Sequence, residues 1–147
     1  MATRIAGMPQ QLEKVTFSTS ATARGGRTGH VTSADGVLDL DLAWPGTTAE
    51  PVANPETLFA AGYAACFQNA MINRAKPFGI DASDSTVTAE VSFGPTGDGG
   101  YGIAVALRVH LPNADPEAAG ELVELAHQFC PYSRATRDNI EVSLELV

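Results

Sequence analysis

The sequence predicts an α+β domain, an antiparallel sheet carrying a long central helix and a second helix. Three observations predict it. Alternation of apolar and polar residues dominates most of the chain, the mark of half-buried strands. Two segments break that alternation, and each opens on a capping residue followed by Pro-Glu, at Asn54-Pro55-Glu56 and at Asp115-Pro116-Glu117. Glycine-rich and Asp-Gly turns punctuate the strands.

In chain order, Val15 and Phe17 alternate with Thr16 and Ser18 in a first short strand, and the turn Gly25-Gly26-Arg27-Thr28-Gly29 follows. His30 to Ser33 and Val37 to Ala43 flank Asp35-Gly36, a dipeptide that tolerates the positive φ of a tight hairpin. Leu38, Leu40 and Leu42 then share one face, opposite Asp39 and Asp41. A helix starts at Asn54, where Glu56 lies near the positive end of its dipole, and stops before Pro77 and Gly79. It is apolar on more than one side, through Leu58, Phe59, Ala65, Cys66, Ala70 and Ile72, so it is central, and a second copy of the chain is expected to cover what one sheet leaves open. Val87 to Phe93 and Tyr101 to Leu111 alternate as two more strands around a glycine-rich turn. The second helix buries Leu122, Val123, Leu125 and Ala126 and ends at Cys130-Pro131, and a last strand runs from Ile140 to Leu146. The expected order is β-β-β-α-β-β-α-β in a single domain over residues 1–147, with residues 1–12 a loose N-terminal extension.

Composition narrows the function. The chain has 147 residues, with 17 Asp plus Glu against 9 Lys plus Arg for a formal charge of −8. That balance repels phosphate backbones and anionic lipid heads, so neither nucleic acid nor a membrane surface is an expected partner. The longest apolar stretch, Leu58 to Phe67, is about half of what a bilayer span requires, and the N-terminus carries no signal-peptide pattern. A reducing cytoplasm is the expected location. The two cysteines are too few for a disulfide scaffold or a four-thiolate zinc site.

Several motifs have plainer readings. Gly97, Gly99 and Gly102 match spaced dinucleotide-binding glycines, but a strand follows them where a helix N-terminus is needed, so they read as a hairpin turn. His127 and Cys130, three apart, make three soft ligands with Cys66, yet no fourth stands at ligand spacing, and no metal is expected. His30 and His110 read as surface residues within strands.

Cys66, set among alanines and aromatics, has the ordinary reading of a small hydrophobe. Against it, Arg27 on a glycine-rich turn is a candidate cation to lower its pKa. Glu56 and Cys66 are ten residues apart, roughly 15 Å on a straight helix, so either the helix breaks near Gly62 or the two residues meet from different subunits. Cys130 lies at a helix end. A bridge from it to Cys66 would close a loop of about 65 residues and contribute about 4 kcal/mol by chain entropy, but a reducing compartment favours a reversible bond.

Four blocks in order resemble the organic hydroperoxide resistance proteins, the Ohr branch of the OsmC/Ohr superfamily. They are Gly25-Gly26-Arg27-Thr28-Gly29, the run from Asn54 through Cys66 to Phe67, the Gly100-Tyr101-Gly102-Ile103 hairpin, and Ala126-His127-Gln128-Phe129-Cys130-Pro131-Tyr132-Ser133. The resemblance implies an OsmC/Ohr-like fold in an intertwined homodimer with active sites at the subunit interface. It also implies a thiol peroxidase that binds no metal or organic cofactor and reduces organic hydroperoxides. Cys66 resembles the peroxidatic cysteine and Cys130 the resolving one, Arg27 the thiolate-stabilising arginine and Glu56 the acid that holds it. The implied electron donor is a dihydrolipoyl group on a lipoylated partner protein. Arg24 and Asp98 depart from the family pattern and bear on substrate preference. Phe67, Met71 and Phe129 are candidates to line an apolar substrate pocket, with core packing as their plainer reading. The alternatives are an OsmC-type peroxidase of different substrate range, an apolar-ligand carrier with inert cysteines, and a redox sensor.

Overall fold

The computed structural model describes residues 8–147; residues 1–7, part of the expected N-terminal extension, lie outside the described residues. The chain divides into two compact units, Met1–Val52 and Ala53–Val147.

The first unit holds a three-stranded antiparallel sheet of β1 (Ala21–Arg24), β2 (His30–Ser33) and β3 (Asp39–Asp41), in that order. Its first strand departs from expectation. Residues 15–18 form no strand, and Val15 and Phe17 are 66% and 81% exposed. Two alternating apolar residues do not make a strand without a neighbour to pair with; the strand instead forms where the glycine turn folds the chain back, pairing Arg24 with His30. The Asp35-Gly36 hairpin forms as expected, with Gly36 at φ +75° and its N–H donating to the Ser33 carbonyl. Leu42 is buried, and Asp39 and Asp41 are exposed on the opposite face.

The second unit carries the main core. Helix α1 spans Pro55–Arg74, and the Asn54 side chain accepts from the Thr57 N–H, a cap of about 1 kcal/mol. Strands β4 (Thr86–Pro95) and β5 (Tyr101–His110) form a long antiparallel hairpin across the glycine-rich turn, where the Asp98 carboxylate accepts from the Gly100 N–H. Helix α2 spans Pro116–Phe129, capped by Asp115, and β6 spans Val142–Leu146. Two details depart from the sequence reading. A further short helix, α3, runs over Pro131–Thr136. β6 pairs with β5 in parallel, so the sheet is mixed. The reason is connectivity: α2 and α3 return the chain to the end of the sheet where β5 began, so the next strand runs the same way.

Val105, Leu107 and Val109 alternate on the inner face of β5 and meet Tyr63, Phe67 and Met71 of α1 with Leu122, Val123 and Ala126 of α2. Each large side chain so buried contributes about 2 kcal/mol. The three buried residues of α1 form a single i, i+4, i+8 stripe, and Ala61, Ala65 and Ile72 stay exposed. Among the described residues no helix is long and apolar enough to cross a membrane.

Candidate active site

Cys66 lies midway along α1 and is partly exposed; Cys130 is buried and is the single residue between α2 and α3. Its N–H closes α2 on the Ala126 carbonyl, while its ψ of 123° turns the chain into Pro131, since a residue before proline is steered out of helical conformation. This joint brings the thiols together. The Cys66 thiol lies near enough to the Cys130 side chain and to the Tyr132 backbone N–H for both to act on its titration.

Burial pushes the Cys66 thiol above its ordinary value; the Tyr132 N–H pulls it back, while the charge and hydrogen bond of Cys130 push the same way as burial. The surroundings within this unit therefore favour the neutral thiol, and a nucleophilic Cys66 needs a cation.

Arg27 sits in the other unit, in a 3-10 turn over Gly26–Thr28. Gly25 and Gly26 both have positive φ, and a Cβ on Gly29 would fall 1.8 Å from the Arg24 carbonyl oxygen, so only glycine permits this pinch. The Arg27 guanidinium lies over the Trp44 ring at 4.8 Å from its centroid.

Glu56 occupies the first turn of α1. The break near Gly62 offered as one way to join Glu56 to Cys66 does not occur, because α1 is continuous through it. Gly62 has another use. A Cβ there would sit 3.1 Å from the Tyr132 ring, so the glycine lets that ring lie against α1 one turn before Cys66.

Phe67 and Met71 are fully buried in the core, against which Cys66 packs. Phe129 is partly buried, its ring beneath the Arg74 guanidinium at 3.5 Å. His127 turns its Nδ1 to Ser133 Oγ at 2.8 Å, and among the described residues no group of three or more His, Cys, Asp or Glu is placed to hold a metal. His30 is partly exposed on the first sheet, where hydrogen bonds to Asp41, at 2.7 Å, and to Asp39 raise its pKa. His110 is exposed and bonds the Val147 carbonyl.

The sequence reading missed a polar cluster behind the thiols. Tyr63 Oη of α1 lies 2.8 Å from Ser133 Oγ and 3.2 Å from Thr136 Oγ1, and the Arg137 guanidinium donates to the His127 carbonyl. Tyr63 and Ser133 are fully buried. The available signal was Pro131: a proline read as the end of one helix is equally the first residue of another.

A family model described as OsmC-like protein matches residues 47–145. The chain is 51% identical over 133 residues to the organic hydroperoxide resistance protein OhrB of Bacillus subtilis (strain 168), covering 88% of this chain and 97% of that one. It is 44% identical over 138 residues to an organic hydroperoxide resistance protein of Xanthomonas axonopodis pv. citri (strain 306), covering 91% and 96%. The crystal structure of the Bacillus subtilis OhrB protein superposes with a TM-score of 0.84 at 50% identity, covering 90% of this chain and all of that one.

Proposed function

Because the chain belongs to the OsmC family, in its organic hydroperoxide resistance branch, we propose that it is a cysteine-based peroxidase that reduces organic hydroperoxides to alcohols. A role in resistance to organic hydroperoxides follows from the relatives. The observation that carries the chemistry is the meeting of the Cys66 and Cys130 side chains, far apart in sequence, with the Tyr132 N–H on Cys66.

In the proposed reaction the Cys66 thiolate attacks the peroxide oxygen distal to the organic group. The O–O bond breaks, the alkoxide takes a proton and leaves as alcohol, and Cys66 becomes a sulfenic acid. The Cys130 thiol then displaces water from that sulfur, closing a disulfide before excess peroxide drives Cys66 to sulfinic acid. An external dihydrolipoyl dithiol, on a lipoylated protein, reduces the disulfide to two thiols and is itself oxidised to the cyclic disulfide. No bound cofactor takes part.

Arg27 is the proposed cation: always protonated, it opposes the upward push of burial on Cys66 and stabilises charge on the departing oxygen. Glu56 is its proposed orienting partner. The exposed Ala61, Ala65 and Ile72 on an otherwise apolar helix support a homodimer whose copies complete each site. Phe129 is the proposed apolar contact for the organic group, favouring alkyl, aryl and fatty-acid hydroperoxides over hydrogen peroxide, while the fully buried Phe67 and Met71 keep the plainer role of core packing. The proposed setting is the cytoplasm.

Steady-state reduction of cumene hydroperoxide and hydrogen peroxide, side by side with dihydrolipoamide as donor, tests this reading. The organic peroxide is expected to turn over faster, and intact mass after one equivalent is expected to fall by two hydrogens. Unchanged thiols would favour an inert carrier. Arg27→Ala is expected to raise the Cys66 titration midpoint; an unmoved midpoint would assign activation to another group.

A further inference from the structure

Ser133, within α3, bonds both other helices of the site: Tyr63 of α1 at 2.8 Å and His127 of α2 at 2.8 Å. Thr136, also of α3, bonds Tyr63 at 3.2 Å, and the Tyr132 ring lies against those of Phe59 and Tyr63, while the α3 N-cap itself makes no side-chain hydrogen bond. Yet that start carries the two groups that face Cys66, the Cys130 side chain and the Tyr132 N–H. We propose that Ser133 is a positioning residue for the thiol pair, tying α3 to α1 and α2 so that Cys130 and the Tyr132 N–H are held against Cys66.

The cluster has two proton orders. When His127 Nδ1 is bare, Tyr63 donates to Ser133, Ser133 donates to His127, and the single Thr136 hydrogen goes to Tyr63 or to the Tyr132 or Ser133 carbonyl. When Nδ1 carries a proton, the order reverses: His127 donates to Ser133, Ser133 to Tyr63, and Tyr63 to Thr136. Both orders leave every member satisfied, and among the described residues no buried side-chain nitrogen or oxygen lacks a partner. A buried network satisfied in this way specifies one packing of its elements. Sliding α3 would break bonds to two helices at once, and the fully buried Ser133 has no water to replace them.

This inference rests on the peroxidase reading for its purpose but not for its test. Thiolate absorbance of Cys66 is titrated in the Cys130→Ser background with and without Ser133→Ala, and disulfide closure in the otherwise native chain is timed with diamide and with one equivalent of cumene hydroperoxide. Ser133→Ala is expected to raise the Cys66 midpoint and to slow closure by roughly tenfold or more, since small misplacements of reacting groups carry penalties of that order. Tyr63→Phe, which removes one oxygen and keeps the ring, is expected to act in the same direction and carries the test if Ser133→Ala does not fold. Folded variants that titrate and close like the wild type would overturn the proposal. A wild type that closes with diamide but ignores the hydroperoxide would sink the peroxidase reading and leave the role of Ser133 to be decided by the titration and the diamide rate.

Discussion

Two histidines in different units of this chain are each held by short side-chain hydrogen bonds, with opposite results. His30 bridges two aspartates on the first sheet, and those bonds, Asp41 foremost, raise its pKa. His127 at the end of α2 bonds a neutral serine, and its pKa is lowered, first by burial and then by the positive charge of Arg137, with Glu124 opposing. The contrast lies in the partner and the solvent rather than in the hydrogen-bond length. An exposed imidazole between carboxylates is stabilised as a cation, while a half-buried one beside a guanidinium and hydroxyls is kept neutral. The first arrangement lies on the surface at the start of a sheet's central strand; the second ties helices beside the Cys66–Cys130 pair.

Substitutions sharpen this contrast. The largest effect is expected at the helix joint, where Cys66→Ser should abolish multiple turnover of cumene hydroperoxide with dihydrolipoamide; retained turnover would place the chemistry elsewhere. Next, Ser133→Ala should cost about 1–3 kcal/mol, because it strips a partner from a half-buried imidazole. For a chain of this size that is roughly 2–4 °C in melting temperature per kcal/mol. An unshifted melt would mean that the tie carries no stability.

The pH dependence separates the two histidines by sign. With its folded pKa below the unfolded value near 6.5, the native state at His127 binds fewer protons than the unfolded chain, so its contribution is present above that value and lost as pH falls through the window beneath it. The groups facing it are Arg137, Glu124 and Ser133. His127→Gln should flatten the acid-side fall of the urea midpoint. His30 has the reverse sign: its contribution is full below the unfolded pKa and fades as pH rises through the raised folded value. Being solvent-exposed, it is expected to give the smallest effect, with His30→Ala leaving the melting temperature unmoved at neutral pH. A clear loss there would break the comparison.

Helix α1 was legible to within a residue at its start, because Asn54 and Pro55 act locally. The β4–β5 hairpin was legible because its alternation runs over ten residues in each strand. The expected strand at Val15–Phe17 failed because two alternating residues carry no information about a pairing partner. Helix α3 stayed hidden because six residues are too few to show a helical period, and its opening Pro131 had already been read as a stop. At the site, Cys66 and Cys130 were found by residue type and resemblance, whereas Tyr63, Ser133 and Thr136 are ordinary residues that become a network only when three helices meet.

By itself the sequence determined the composition of two helices and their caps, most strands, and the two thiols on which the chemistry is proposed to rest. These are properties of short windows, governed by periodicity and by side chains that bond their own backbone. Tertiary structure alone decided that β6 runs parallel to β5, that Gly62 makes room for a ring rather than a break, and that Cys130 and the Tyr132 N–H converge on Cys66. Each depends on chain segments separated by dozens of residues, where position is set by packing and by the satisfaction of buried polar groups, which no local pattern encodes.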